Sequence, residues 1–218
     1  DFIETSSDHE IDYIPLISQE DAMAMDKQEF GEELPILALR NNVLFPGVVI
    51  PITVGRDTSI KLIQAANKGN KIIGVVSQMD QDEENPNFVD LHKVGTVAQI
   101  IRLLRMPDGS TTAIIQGKRK FKIDTPLQTL PYMKAKVKYL KEKNVNVKSS
   151  EMEVMFKSVK EQALHIIQES PNIPSEASFA IGNIDSQSFL VNFISSNMNA
   201  DVAKKQEVLE QLDLKKRT

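Results

Sequence analysis

Residues 34–56 read LPILALRNNVLFPGVVIPITVGR. Two runs rich in branched apolar residues, PILALR and VVIPITV, bracket the turn NNVLFPG, so the stretch predicts two strands separated by a loop. Pro51 has no backbone N–H to give to a ladder, which puts the second strand at a sheet edge or at a bulge. Phe45 stands beside the Pro46-Gly47 pair, on the turn itself. Two placements are open for so large an apolar side chain. It faces water as an anchor for a partner, or it folds back as a plug over an end of the sheet.

Outward from this stretch the period stays mostly that of strands. RDTSIKLIQAANKGN predicts a short helix, capped at Asp57 or Thr58 and stopped at Gly69. KIIGVVS is a buried strand, and QMDQDEENPN an acidic loop. Pro107-Asp108-Gly109 turns a long hairpin whose tip carries Met106. In YMKAKVKYL, Met133, Ala135, Val137 and Tyr139 share one face, and Lys134, Lys136 and Lys138 the other. Alternation assigns Ile36, Leu39, Val49, Ile73, Val75, Val97 and Ile114 to the core. After Lys148 the period becomes helical. A capping box at Ser150 and Glu153 opens a helix with the apolar stripe Met152, Met155, Phe156, Val159, Ala163, Ile166 and Ile167. Shorter helices are predicted at about 175–182, 186–196 and 201–212. The predicted organisation is an acidic flexible tail (1–33), a β-rich subdomain (34–141) and a helical subdomain (142–218).

The charge is divided in the same way. Residues 1–33 carry eleven acidic side chains against Lys27, a net −10, and the rest of the chain carries +6, for the formal −4 of the 218 residues. The apolar cluster Ile11, Tyr13, Ile14, Leu16 and Ile17 interrupts the tail. There is no cysteine, which excludes a disulfide, a thiolate metal site and a cysteine nucleophile. That composition, with no apolar run of membrane-spanning length, predicts a cytoplasmic protein. The chain begins at Asp1 rather than Met, as a processed fragment would.

Catalytic signatures are missing. No phosphate loop, nucleophile elbow or H-E-x-x-H pair occurs, and His9, His92 and His165 are widely separated. The sequence therefore assigns no catalytic, cofactor-binding or metal-binding residue. Residues 117–148 hold ten Lys or Arg against Asp124 and Glu142, as a nucleic-acid face would. However, Phe121 and Tyr139 alternate with Lys120, Lys122 and Lys138 and so point away from them. The lysines then read as the solvated outer face of strands, not as part of a base-stacking platform.

Leu34-Pro35, Leu39-Arg40, Phe45-Pro46, Pro51, Val54-Gly55-Arg56, Gly95-Thr96, Pro107-Asp108-Gly109 and Gly117 follow one another at a familiar spacing. Across residues 34–123 the chain strongly resembles the N-terminal substrate-binding domain of the ATP-dependent Lon proteases. Residues 124–212 are similar to the helical second half of that region. Ala38 and Asn41 stand where the family often has Pro and Asp.

The resemblance implies an α+β fold, a PUA-like β pseudobarrel with one short helix followed by a helical bundle. It implies a non-catalytic head for substrate recognition and assembly, part of a protease that degrades misfolded and regulatory proteins. The AAA+ ATPase, with its ATP and magnesium, and the Ser-Lys peptidase are expected beyond Thr218, so the fragment itself is not an enzyme. The implied partners are unfolded or apolar-rich proteins and further copies of the chain in a homohexameric ring, with neither membrane nor nucleic acid. Phe45, Pro46, Val48, Met106 and Pro107 are the candidate substrate-binding residues. Two alternatives remain beside this reading. One is a stand-alone recognition protein of the same type. The other is a PUA-like RNA-binding module using Lys118, Arg119, Lys120, Lys134 and Lys136.

Overall fold

The computed structural model describes residues 24–25, 28–142, 150–169, 178 and 181–218. Its strands are β1 (Glu33–Leu39), β2 (Val49–Val54), β3 (Ile72–Ser77), β4 (Val94–Arg105), β5 (Thr111–Gln128) and β6 (Lys134–Tyr139). Helix α1 (Asp57–Lys68) precedes β3, and α2 (Ser150–Glu169), α3 (Gln187–Asn197), α4 (Val202–Glu210) and α5 (Leu214–Arg217) follow β6. The Ile11–Ile17 cluster lies outside the described residues, as does most of the helix expected at about 175–182.

The strands form one mixed sheet in the order β2-β5-β4-β3-β1-β6. β5 also pairs with β6, so β5, β4, β3, β1 and β6 make a closed circuit of ladders, with β2 attached to the outer half of β5. The two strands that bracket the opening turn are therefore not neighbours. β1 runs parallel to β3 (Ile36 opposite Gly74), and such a pair needs a crossover, which the segment containing α1 supplies. β2 is an edge strand, and Pro51 sits there opposite Ile114, as a residue without a donor requires.

The apolar residues fall into two large clusters. Inside the circuit, Leu34, Ile36, Val76, Val97, Ala135 and Val137 surround Phe121, which is wholly buried. Gly95 makes room for that ring, because a Cβ there would lie 2.3 Å from the Val75 carbonyl oxygen and 3.1 Å from Phe121. On the other face, Leu37, Leu39, Ile50, Ile73, Val75, Ile100 and Ile115 pack with Leu62 and Ile63 of α1 and with Phe189, Leu190, Val202 and Leu209 of the later helices.

Three local expectations are corrected. Val49 and Ile114 are only half-buried, while Ile50 and Ile115 face each other in the core, so the buried parity of that ladder is the opposite one. Ile166 is exposed, at the margin of the stripe on α2. The residue flanking α1 is Arg56, with Asp57 inside the first turn, where its charge suits the helix dipole. At the N-terminal end the ordered contacts begin before Leu34. Phe30 packs on Tyr139 with ring centroids 6.1 Å apart, and Val137 N–H donates to the Glu32 carbonyl at 2.9 Å.

Candidate protein-binding surface

The Asn41–Gly47 turn is stitched to the sheet by its own backbone. Gly47, at φ 84°, donates to the Gly117 carbonyl at 2.9 Å, and Gly117 N–H returns a bond to Val48 at 2.9 Å. The hydroxyls of Ser77 and Thr96, both buried, donate to the carbonyls of Asn42 (2.7 Å) and Leu44 (2.6 Å). From the helical side, Asn192 Nδ2 donates to the Pro46 carbonyl at 3.1 Å. These bonds fix the path of the turn, and the side chains of Val43, Leu44 and Phe45 turn into the larger core cluster. Phe45 is 0% exposed and Val48 5%. Of the two placements the sequence leaves open, the folded-back one is the structure. Phe45 and Val48 are not on the surface, and Pro46 is half-covered beneath α3.

Met106 and Pro107 are at the surface, as their turn requires. Gly109 takes φ 85° and donates to the Met106 carbonyl at 2.9 Å, Met106 donates to Ser110 at 2.9 Å, and Ser110 N–H is held by Asp108 Oδ1 at 2.8 Å. The hydrogen bonds from Ser110 keep the Asp108 carboxyl below its ordinary range. Met106 is 42% exposed on this well-formed tip. Sequence reasoning missed Ile101, on β4 of the same hairpin, which is 51% exposed. The signal is a bulge. Ile100 opposes Ile115 and Arg102 opposes Ile114, so Ile101 is the extra residue and is turned outward.

The basic stretch divides under inspection. Lys120 belongs to the predicted solvated face but is 3% exposed, which corrects that assignment. The helical segment covers it. Its Nζ lies 3.5 Å from Glu142 Oε1 and donates to the Gln211 carbonyl at 3.3 Å. Burial, reinforced by the nearby Arg217 charge, pulls its ammonium down to about 8, with Glu142 opposing. Arg217 in turn bonds Glu142 and donates to Asn192 Oδ1 at 2.7 Å. Of the other candidate nucleic-acid residues, Arg119 lies 5.2 Å from the Tyr139 ring centre and Lys134 pairs with Glu33 at 2.6 Å. Lys118 donates to Gln116 at 2.7 Å, and Lys136 is exposed. His92 is partly buried, which lowers its pKa, and Glu210 partly offsets this. Among the described residues, no group of three His, Cys, Asp or Glu could hold a metal ion, and no helix is long and apolar enough to cross a membrane.

The family model for the ATP-dependent protease La (LON) substrate-binding domain matches residues 33–218. A Lon protease from Flavobacterium johnsoniae is 56% identical over 210 residues, covering 96% of this chain and 26% of that protein. A Lon protease from Porphyromonas gingivalis is 39% identical, covering 94% and 25%. The chain thus spans about a quarter of the length of the curated relatives it matches. Among solved structures, the N-terminal domain of a Mycobacterium avium complex Lon protease superposes with TM-score 0.70 at 20% identity, covering 85% of this chain and 93% of that one. A Lon N-terminal domain protein from Xanthomonas campestris gives TM-score 0.61 at 15% identity, covering 85% and 94%. At those identities the likeness is one of fold.

Proposed function

The chain belongs to the LON substrate-binding domain family, and from that premise we propose that it captures unfolded, apolar-rich proteins for an ATP-dependent Lon serine protease. In the whole protein the ATPase module, with ATP and magnesium, and a Ser-Lys peptidase supply force and cleavage. Copies of this head stand around a homohexameric cytoplasmic ring. The closed circuit of ladders supports describing the β-rich part as a PUA-like pseudobarrel.

One observation carries the location of the capture surface. Met106 and Ile101 expose large apolar side chains on the hairpin, whereas Phe45 and Val48 are buried. A surface that selects damaged proteins must meet their exposed apolar groups with its own, and aromatic or apolar anchors dominate such contacts. Binding by one head is weak, and a ring multiplies it through avidity. The check is retention of a reduced, carboxymethylated polypeptide, which is permanently unfolded, measured with wild type and with Met106→Asp. The substitution should weaken binding by roughly 1–2 kcal/mol and leave the circular dichroism spectrum unchanged. Equal binding by both proteins would move the capture surface away from the hairpin tip.

A further inference from the structure

From Ile101 to Arg105, β4 is hydrogen-bonded along one side only. β3 accompanies it as far as Ile72 opposite Gln99, and Ile100 N–H donates to the Lys71 carbonyl at 2.8 Å. There the β3 chain swings away at Lys71, which takes φ 61°. β5 continues beside β4 to Thr111 opposite Arg105, but the other edge has no backbone partner among the described residues. Proteins usually blunt such an edge with proline, charged side chains, a β-bulge or a cover. The outer edge of β2 carries Pro51; the Ile101–Arg105 edge has no proline, its bulge is confined to Ile101 at one end, and its two arginines leave Leu103 and Leu104 between them uncharged.

The flanks of this edge suit a peptide. On one face a cleft of about 250 Å³ lies between α1 and the hairpin, lined by Ile60, Ile63 and Gln64, by Val54 and by Leu103, Leu104 and Arg105. On the edge itself Ile101 is half exposed, and Arg102 and Arg105 are exposed, paired with no described carboxylate. An extended chain offers donors and acceptors at the spacing the edge requires, and its side chains alternate between two faces.

We propose that a segment of an unfolded protein adds to the Ile101–Arg105 edge as an extra strand. One set of alternate side chains enters the α1 cleft, the other passes over Ile101, and acidic residues are favoured beside Arg102 and Arg105. This rests on the substrate-binding reading above and supplies its mode.

The test uses the 218-residue chain and three synthetic peptides that alternate leucine and aspartate. One is unmodified, one is N-methylated at the even backbone nitrogens and one at the odd. Only every second amide of an added strand faces its neighbour, so one methylated peptide should lose affinity by roughly tenfold or more while the other binds nearly as well as the parent. Hydrogen exchange should slow at those Ile101–Arg105 amides that face away from β5 when the reduced, carboxymethylated polypeptide binds. Ile101→Asp, which keeps the backbone donor and sets a like charge beside the peptide's aspartates on an exposed position, should weaken both interactions without changing the fold. If the polypeptide binds but protection appears elsewhere, or both methylated peptides bind like the parent, edge addition is wrong and substrate capture stands. If neither the polypeptide nor the parent peptide binds, the substrate-binding reading falls with it.

Discussion

Phe45 shows how a residue that carries a family's spacing can lie wholly inside the fold. Its carbonyl oxygen is as confined as its ring. A Cβ on Gly117 would lie 2.3 Å from that oxygen, so glycine at 117 and the path of the turn depend on each other. The ring itself is wholly enclosed in the larger cluster. Phe45→Ala should therefore cost about 3–5 kcal/mol of stability, the usual loss for a buried phenylalanine. Chemical denaturation measures this. At temperatures where the variant remains folded, its affinity for unfolded polypeptide should equal that of wild type. The sequence could not decide between anchor and plug. Burial of Phe45 depends on hydroxyls at Ser77 and Thr96 and an amide at Asn192, which lie 35, 52 and 146 residues from their carbonyl partners.

At the scale of the element, the β4–β5 hairpin was legible as a hairpin but not as the two faces it presents. Between Ala98 and Thr96 of β4 the partners on β5 advance from Gly117 to Lys120, three residues against two. This bulge reverses the phase of β5. Ala113 and Ile115 face the helices before it, and after it Lys120 does so while Phe121 enters the circuit. β6 has no comparable problem along Ala135 and Val137, and its alternation was read correctly from the sequence. Simple counting by two cannot locate a bulge, because the extra residue leaves no compositional mark. Deleting Lys118 should force a choice between the two phases. The expected outcome is loss of cooperative unfolding, followed by tryptophan-free near-ultraviolet circular dichroism from the Phe and Tyr residues. Replacing Lys118 by Ala, which keeps the count, should retain it.

Across the whole molecule, sheet and helices share one apolar cluster and one charged junction. Lys120 on β5, Glu142 after β6, Asn192 on α3 and Arg217 on α5 meet there. The helical period after Lys148 was legible, since an apolar stripe at helical spacing announces itself locally. The junction was not, because a lysine on an alternating strand looks solvated until something covers it. The folded protein holds Lys120 at about 8 against an ordinary 10.5. Between those values the unfolded chain binds more protons than the folded one, so stability rises with pH through that window. Below pH 8 the lysine is charged in both states and the cost of burying it is constant. We expect the unfolding free energy of wild type to climb relative to Lys120→Met by about 1–3 kcal/mol between pH 8 and 10.5. Urea titrations at several pH values test it, and parallel curves for the two proteins would refute the assignment.

The closure of the ladder circuit also has a history in time. β1 finds its antiparallel neighbour only in β6, where Lys134 and Glu33 meet across 101 residues of chain. At roughly 5–20 residues per second of synthesis, that separation is several seconds or more during which Leu34 and Ile36 have left the ribosome without their final cover. The local β4–β5 hairpin can form during the wait, but the interior around Phe121 cannot close until β6 arrives. A domain of a substrate-binding family thus passes through an unfinished state of its own, with an apolar strand in the open.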